Sequence, residues 1–249
     1  VGYWNFNAGS DTTLYDHSGN QNHGMINGAT WVGYILGCTD PLATNYDATA
    51  NVDNGSCTYP DAGDYSLEFD GVDDYVDYGN SENYNFNYFT AEAWIKVDGA
   101  SSNNQPIIAR WADSNYNQFV FEVQNSNSGH ERKVQLVINS NHSDQEYVET
   151  GDVIEFGEWM HFAGSYDGDS LKIFVNGIKQ AATAAENQLI NTNNILTIAA
   201  SNSSSSYRFG GDIDKVRLWN FALTEEQVQS YMSTPPTGNE SGLVGYWNF

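Results

Sequence analysis

The chain has 249 residues, 40% of them hydrophobic and 14% aromatic, enough to bury one sizeable core. Its 32 acidic against 9 basic side chains give a formal net charge of −23, a field that repels phosphate backbones and anionic lipid and so excludes nucleic acid as a partner. No apolar run approaches the roughly 18 residues of a membrane span, and no charged-then-apolar leader is present, so neither membrane insertion nor a signal peptide is expected in this stretch.

The hexapeptide VGYWNF occupies residues 1–6 and recurs at 244–249, an offset of 243. A strand-like segment repeated at that distance reads as one period of a tandem array, a form that suits extended surface proteins because linked weak contacts multiply. The expected division is a sandwich made of 1–36 and 60–233, a small insertion at 37–59, a linker at 234–242 carrying Pro235, Pro236 and Gly238, and at 243–249 the first strand of a next repeat.

Between Gly-, Asn-, Asp- and Ser-rich breaks, segments 65–69, 75–78, 89–97, 118–123, 133–138, 159–166, 171–175, 195–199 and 213–219 carry β-branched or aromatic residues in rough period-two alternation. This is the pattern of an all-β antiparallel sandwich. Asp70-Gly71 and Asn176-Gly177 read as turns between strands. One short helix is expected at 224–232, where Thr224 caps the amides and Gln227 completes a capping box. Trp94, Trp159 and Trp219 stand beside alternating apolar residues and read as core anchors. His161 reads as structural, with no partner that the sequence names.

The succession VGYWNF, YDHSGNQNHGMINGATW, YSLEFDGVDDYVDYG, FTAEAWIK, EWMHFAGSYDGDSLKIFVNG and GGDIDKVRLWNFALTEEQVQSYM resembles the laminin G-like, concanavalin A-like jelly roll of bacterial surface proteins. The resemblance covers nearly all the chain outside residues 36–60. It implies two curved antiparallel sheets, often one structural calcium, and carbohydrate or adhesive binding.

Calcium seeks six to eight oxygen ligands, and the Gly-containing loop at 16–24 offers several. In the resembled family the matching loop approaches the strand carrying residues 211–214. Asp16 and Asp214 are therefore the leading expected ligands, followed by Asn20, Asn22 and Asp212. The alternative is a self-hydrogen-bonded loop without metal.

Cys38 and Cys57 are the two cysteines of the chain and bracket a loop of about 20 residues, whose closure is worth on the order of 3 kcal/mol, so a disulfide is expected. A zinc site would need further ligands that the spacing does not supply. The bracketed stretch resembles a short motif of secreted and surface proteins of the Bacteroidetes, which implies export to the bacterial cell surface. Asp40, Asn45, Asp47, Asn51 and Asp53 within it form a second possible calcium site, although the Gly falls one place early for an EF-hand and no Glu follows.

Catalytic patterns are missing from the sequence. There is no E-x-D-x-x-E strand, G-x-S-x-G or H-E-x-x-H, and Glu92 and Glu122 each stand without a second acid nearby. A non-enzyme is expected. The candidate ligand-binding residues are Arg110, Trp111 and Tyr116, flanked by Asp113 and Asn115, because RWADSNYN interrupts the alternation and leaves an aromatic among polar groups; Tyr207, beside Arg208, is a further candidate. The expected function is a repeated extracellular adhesion module, calcium-stabilised, with surface polysaccharide or glycoprotein glycans and neighbouring repeats as partners. The alternative is a structural spacer with no ligand of its own.

Overall fold

A computed structural model describes residues 1–59, 65–111, 118–128, 132–141, 144–185, 189–202 and 206–249, in two compact units, Val1–Asp61 and Ala62–Phe249. In the first unit β1 (Thr13–Leu14) pairs antiparallel with β2 (Gly24–Met25), and β3 (Leu36–Gly37) pairs parallel with β4 (Val52–Asp53). Cys38 and Cys57 form the expected disulfide. Few apolar groups are buried here, Cys38 and Ala43 among them, so the unit depends on that cross-link and on Asp and Asn side chains that bond their own turns.

The second unit contains β5 (Leu67–Asp70), β6 (Val76–Asp77), β7 (Phe89–Val97), β8 (Gln105–Arg110), β9 (Phe119–Val123), β10 (Val134–Asn141), β11 (Asp144–Glu149), β12 (Trp159–Tyr166), β13 (Ser170–Val175), β14 (Ile178–Ala184), β15 (Thr197–Ile198), β16 (Gly210–Trp219), the helix α1 (Glu225–Ser233) and β17 (Leu243–Trp247). They form a sandwich of two antiparallel sheets. One is ordered β11-β10-β9-β8-β15-β6, the other β14-β13-β12-β7-β16-β17, with β5 pairing the first half of β16. Alternate residues of each strand fill the space between the sheets: Phe89, Ala91, Ala93, Ile95 and Val97 from β7, and Phe119, Phe121 and Val123 from β9, are all buried in one core. That period of two is what alternation in the sequence encodes.

Local signals carry over where geometry is local. Asn176 and Gly177 both have positive φ, 47° and 78°, in the tight turn joining β13 to β14, a conformation that the Asn-Gly pair suits. Thr224 caps α1, and the full capping box with Gln227 is present. The helix buries Val228 and, with Phe221, Leu223, Tyr231 and Leu243, covers Trp219 and Phe174 on the outer face of the larger sheet.

Two expectations are corrected. Residues 1–36 do not contribute a strand to the sandwich; the slot beside β16 is filled by β17, with Leu218 opposite Gly245, Arg217 opposite Tyr246 and Val216 opposite Trp247. Segments 37–59 and 1–36 fall together in the first unit, and 243–249 close the second. The two hexapeptides are chemically equal claimants, and the one joined to β16 by a short helical connection closes the smaller loop. The second correction concerns two tryptophans. Trp94 and Trp159 lie on the outer face of the larger sheet, Trp159 being 40% exposed, because they alternate with the residues that enter the core. Trp219 is fully buried, but under the helix.

Candidate functional site

On the smaller sheet, the residues pointing away from the core build a groove. Val120 and Glu122 of β9 stand opposite Val137 and Gln135 of β10. Trp111, just beyond β8, packs on Ala109, Val120 and Val137, which holds its ring over the sheet while leaving it partly exposed. A cavity of about 260 Å³ results, lined by Asn104, Trp111, Glu122, Gln135, Gln145 and Tyr207 together with neighbouring residues. Trp111 and Tyr207 contribute aromatic lining, and the sheet beneath offers the Val120–Val137 pair beside the polar Glu122–Gln135 pair.

The polar part of this floor is organised around Glu122, which is 6% exposed. Asn104 Nδ2 and Gln135 Nε2 both donate to Glu122 Oε1 at 2.6 Å. Asn104 Oδ1 in turn accepts from the backbone and side-chain amides of Asn125, at 3.0 and 2.6 Å. Burial pushes the Glu122 carboxyl up to about 7 against the pull of the Gln135 and Asn104 amides. Glu122 is the one carboxylate among the described lining residues.

Of the sequence candidates, Trp111 and Tyr207 line this one groove. Arg110 does not: it is fully buried, its guanidinium donates to the Ser81 and Thr192 carbonyls at 2.9 and 2.6 Å, and it lies over the Tyr84 ring. An arginine adjoining an exposed tryptophan points the opposite way along a strand, so proximity in sequence was the wrong guide. Tyr116, Asp113 and Asn115 lie outside the described residues. Sequence reasoning missed Asn104, Glu122 and Gln135. The signal was the out-facing Glu of FVFEV, whose meaning depends on the cross-strand register that sets Gln135 beside it.

The larger sheet carries a glutamate in the equivalent setting, and Glu92 is not alone. His161 Nε2 is 3.3 Å from Glu92 Oε2, Arg217 Nη1 is 3.5 Å from Oε1, and Trp219 Nε1 donates to Oε1 at 3.1 Å. All four side chains are fully buried, and Tyr246 of β17 lies against the Arg217 guanidinium at 5.2 Å. This supplies the partner that His161 lacked in the sequence. Nearby on the same face is a groove of about 530 Å³ lined by Tyr65, Trp94, Trp159, Asp214, Lys215 and Met232, among others. Its charged groups are already matched, Lys215 Nζ to Asp214 Oδ2 at 2.6 Å.

The proposed metal ligands are divided between the units, Asp16, Asn20 and Asn22 in the first and Asp212 and Asp214 in the second. Asp16 accepts from Tyr3 N and Ser18 N on Oδ1 and from Ser18 Oγ and Asn22 N on Oδ2. These donors, the Tyr3 amide foremost, hold its carboxyl far below the usual range. Four donors occupy the lone-pair directions a cation would need, so the loop as arranged does not fit an ion cage. Asp212 pairs with Lys96, and Asp214 accepts from Lys215 N and Phe249 N. In the disulfide loop Asp40 accepts from Tyr59 and Leu42, Asp47 from Thr49, Asp53 from Gly55, while Asn45 bridges Ser56 and Thr58 and Asn51 bridges Gly33 and Ile35. Asp47 and Asp53 bond their own turns, whereas Asp40, Asn45 and Asn51 tie together distant parts of the loop. Asp70, Asp73 and Asp74 do cluster at the turn after β5, all exposed.

Residues 70–229 match the family model described as the concanavalin A-like lectin/glucanases superfamily. Pappalysin-1 of Mus musculus is 24% identical over 159 residues, 59% of this chain and 10% of that one, so this chain spans about a tenth of that relative. Among solved structures, a protein from Bacteroides ovatus described as carbohydrate binding superposes with a TM-score of 0.62 at 19% identity, covering 82% of this chain and 56% of the other. Domain 4 of AbnA, an extracellular arabinanase of Geobacillus stearothermophilus solved with arabinotriose, gives a TM-score of 0.52 at 18% identity, with 72% and 82% covered. At these identities the structural likeness is one of fold. No helix among the described residues is long and apolar enough to cross a membrane.

Proposed function

We propose that this chain, which belongs to the concanavalin A-like lectin/glucanases superfamily, is a non-catalytic glycan-binding module of an extracellular surface protein, and that it holds neutral sugars in the groove on the smaller sheet. The observation that carries this reading is the meeting of Trp111 and Tyr207 around the Asn104, Glu122 and Gln135 floor. Sugars offer apolar C–H faces that stack on aromatic rings and hydroxyls that both donate and accept, and this lining answers both needs. The net charge of −23 and the carboxyl at the floor disfavour sialylated or sulfated glycans. The solved relatives named above, one described as carbohydrate binding and one bound to arabinotriose, support the same class of ligand. The disulfide suits an oxidising, extracellular setting.

The test is a glycan array carrying neutral and anionic oligosaccharides, probed with the wild type and Trp111→Ala. Saturable binding to neutral glycans that the variant loses is the expected result. No binding by the wild type would favour a spacer in a surface filament. Stabilisation by calcium is a separate proposal that rests on the sequence resemblance, because an ion at Asp16 would have to displace the donors now on it. A native-state ion in hundredfold excess over its Kd would add about 2.7 kcal/mol. Superimposable melting curves with and without chelator would dismiss it.

A further inference from the structure

One sequence, VGYWNF, is found in two environments. As 244–249 it is half-buried: it forms the ladder with β16, Val244, Trp247 and Phe249 pack against the sandwich core, the Trp247 ring lies 4.4 Å from that of Tyr78, and Phe249 N donates to Asp214. As 1–6 it belongs to no strand. Val1, Tyr3, Trp4 and Phe6 are exposed, from 39% to 109%, and Phe6 has a φ of 55°, a left-handed conformation unfavourable for a bulky residue without a special reason. A few contacts tether this copy to its own unit: Tyr3 N to Asp16, His17 N to Tyr3 O, and Trp4 Nε1 to the Asn22 carbonyl. They leave the apolar faces in water.

We propose that residues 1–6 are a closing strand for the β16 edge of a second module of this sequence type. The second environment identifies the partner chemically. An edge that accepts Val244 to Trp247 accepts the same side chains in the same order from residues 1–4, with Gly2, Tyr3 and Trp4 facing the equivalents of Leu218, Arg217 and Val216. Backbone hydrogen bonds supply the attraction, and the guanidinium and core pockets fix the register by receiving the tyrosine and the tryptophan. Strand addition also half-buries four exposed apolar side chains, as it does in residues 244–249, and frees Phe6 to leave its left-handed conformation. This inference is independent of sugar binding.

The test uses the full chain with a protease site inserted beside the exposed Asn239, cut after folding so that β17 stays in place without a covalent link. Mild denaturant is raised until a labelled VGYWNF peptide exchanges into the cut protein, which shows that the slot is open to competitors. Uncut full chain is then added in place of the peptide. The expected result is a one-to-one complex by light scattering with release of the C-terminal piece, weakened about tenfold or more by Trp4→Ala in the uncut partner, as for an anchoring aromatic. Exchange of the peptide with no complex from the uncut chain would overturn the proposal. So would a complex that persists undiminished when residues 1–6 are deleted from the uncut partner.

Discussion

Glu92 and Glu122 occupy matching places on the two sheets, each on a strand whose alternate residues fill the shared core, each pointing outwards, and each buried. Their neighbours separate them. Around Glu92 the partners are a guanidinium, an imidazole and an indole N–H, and α1 covers the indole while Tyr246 lies against the guanidinium. Around Glu122 the partners are neutral amides, and the aromatic residues stand at the sides, leaving a cavity. The same alternation thus yields an internal ion pair under one cover and a polar floor without one. What lies on top of a sheet face decides whether its buried carboxylate meets charged partners or neutral amides.

The largest expected effect lies at the covered glutamate. Glu92→Ala leaves the Arg217 charge buried without its counter-ion and should cost about 3–5 kcal/mol in denaturant unfolding, whereas Glu122→Ala, which leaves amides beside an open groove, should cost about 1 kcal/mol. Equal losses would break the comparison. Replacing Glu92 and Arg217 together by apolar residues should recover much of the deficit, since a buried pair pays desolvation twice.

Next comes the disulfide of the first unit. Replacing Cys38 and Cys57 by Ser should cost about 3 kcal/mol in the unfolding of the first unit, and an unchanged transition for that unit would contradict its dependence on the cross-link.

The smallest effect concerns protonation of the open glutamate. Its folded value of about 7 lies above the unfolded value near 4.5, so the folded state binds the extra proton in that interval. The contribution is fully present below the unfolded value and is lost as pH rises through 7. Wild type should therefore gain stability, on the order of 2 kcal/mol, as pH falls from 7 to 4.5, and Glu122→Gln should lack this gain. Parallel profiles would place the Glu122 carboxyl in a wetter setting than the two amides at 2.6 Å indicate.

Patterns with short range were legible in the sequence. Nine strand segments, the capping box of α1, the Asn176-Gly177 turn and the disulfide all rest on residues close together or on the chain's two cysteines. Relations between distant strands were not. The sequence holds two copies of the closing strand with nothing in either to rank them, and only connection length favours the second. Trp94 and Trp159 read as core because alternation gives two faces without saying which is inside. Trp111 and Tyr207 were recognised singly as aromatics among polar residues, but the floor between them needs the register that sets Glu122 opposite Gln135. Glu92 looked solitary for the same reason: its partners come from strands 69 and more residues away.

The most direct test of the account follows the indole N–H signals of ¹⁵N-labelled protein by NMR, each assigned by single substitution, while a neutral oligosaccharide from the array is titrated in. The account predicts that the Trp111 signal shifts with saturation while those of Trp94 and Trp159, on the opposite sheet, stay in place. Movement of Trp94 and Trp159 with Trp111 unchanged would put the sugar on the other face and contradict it.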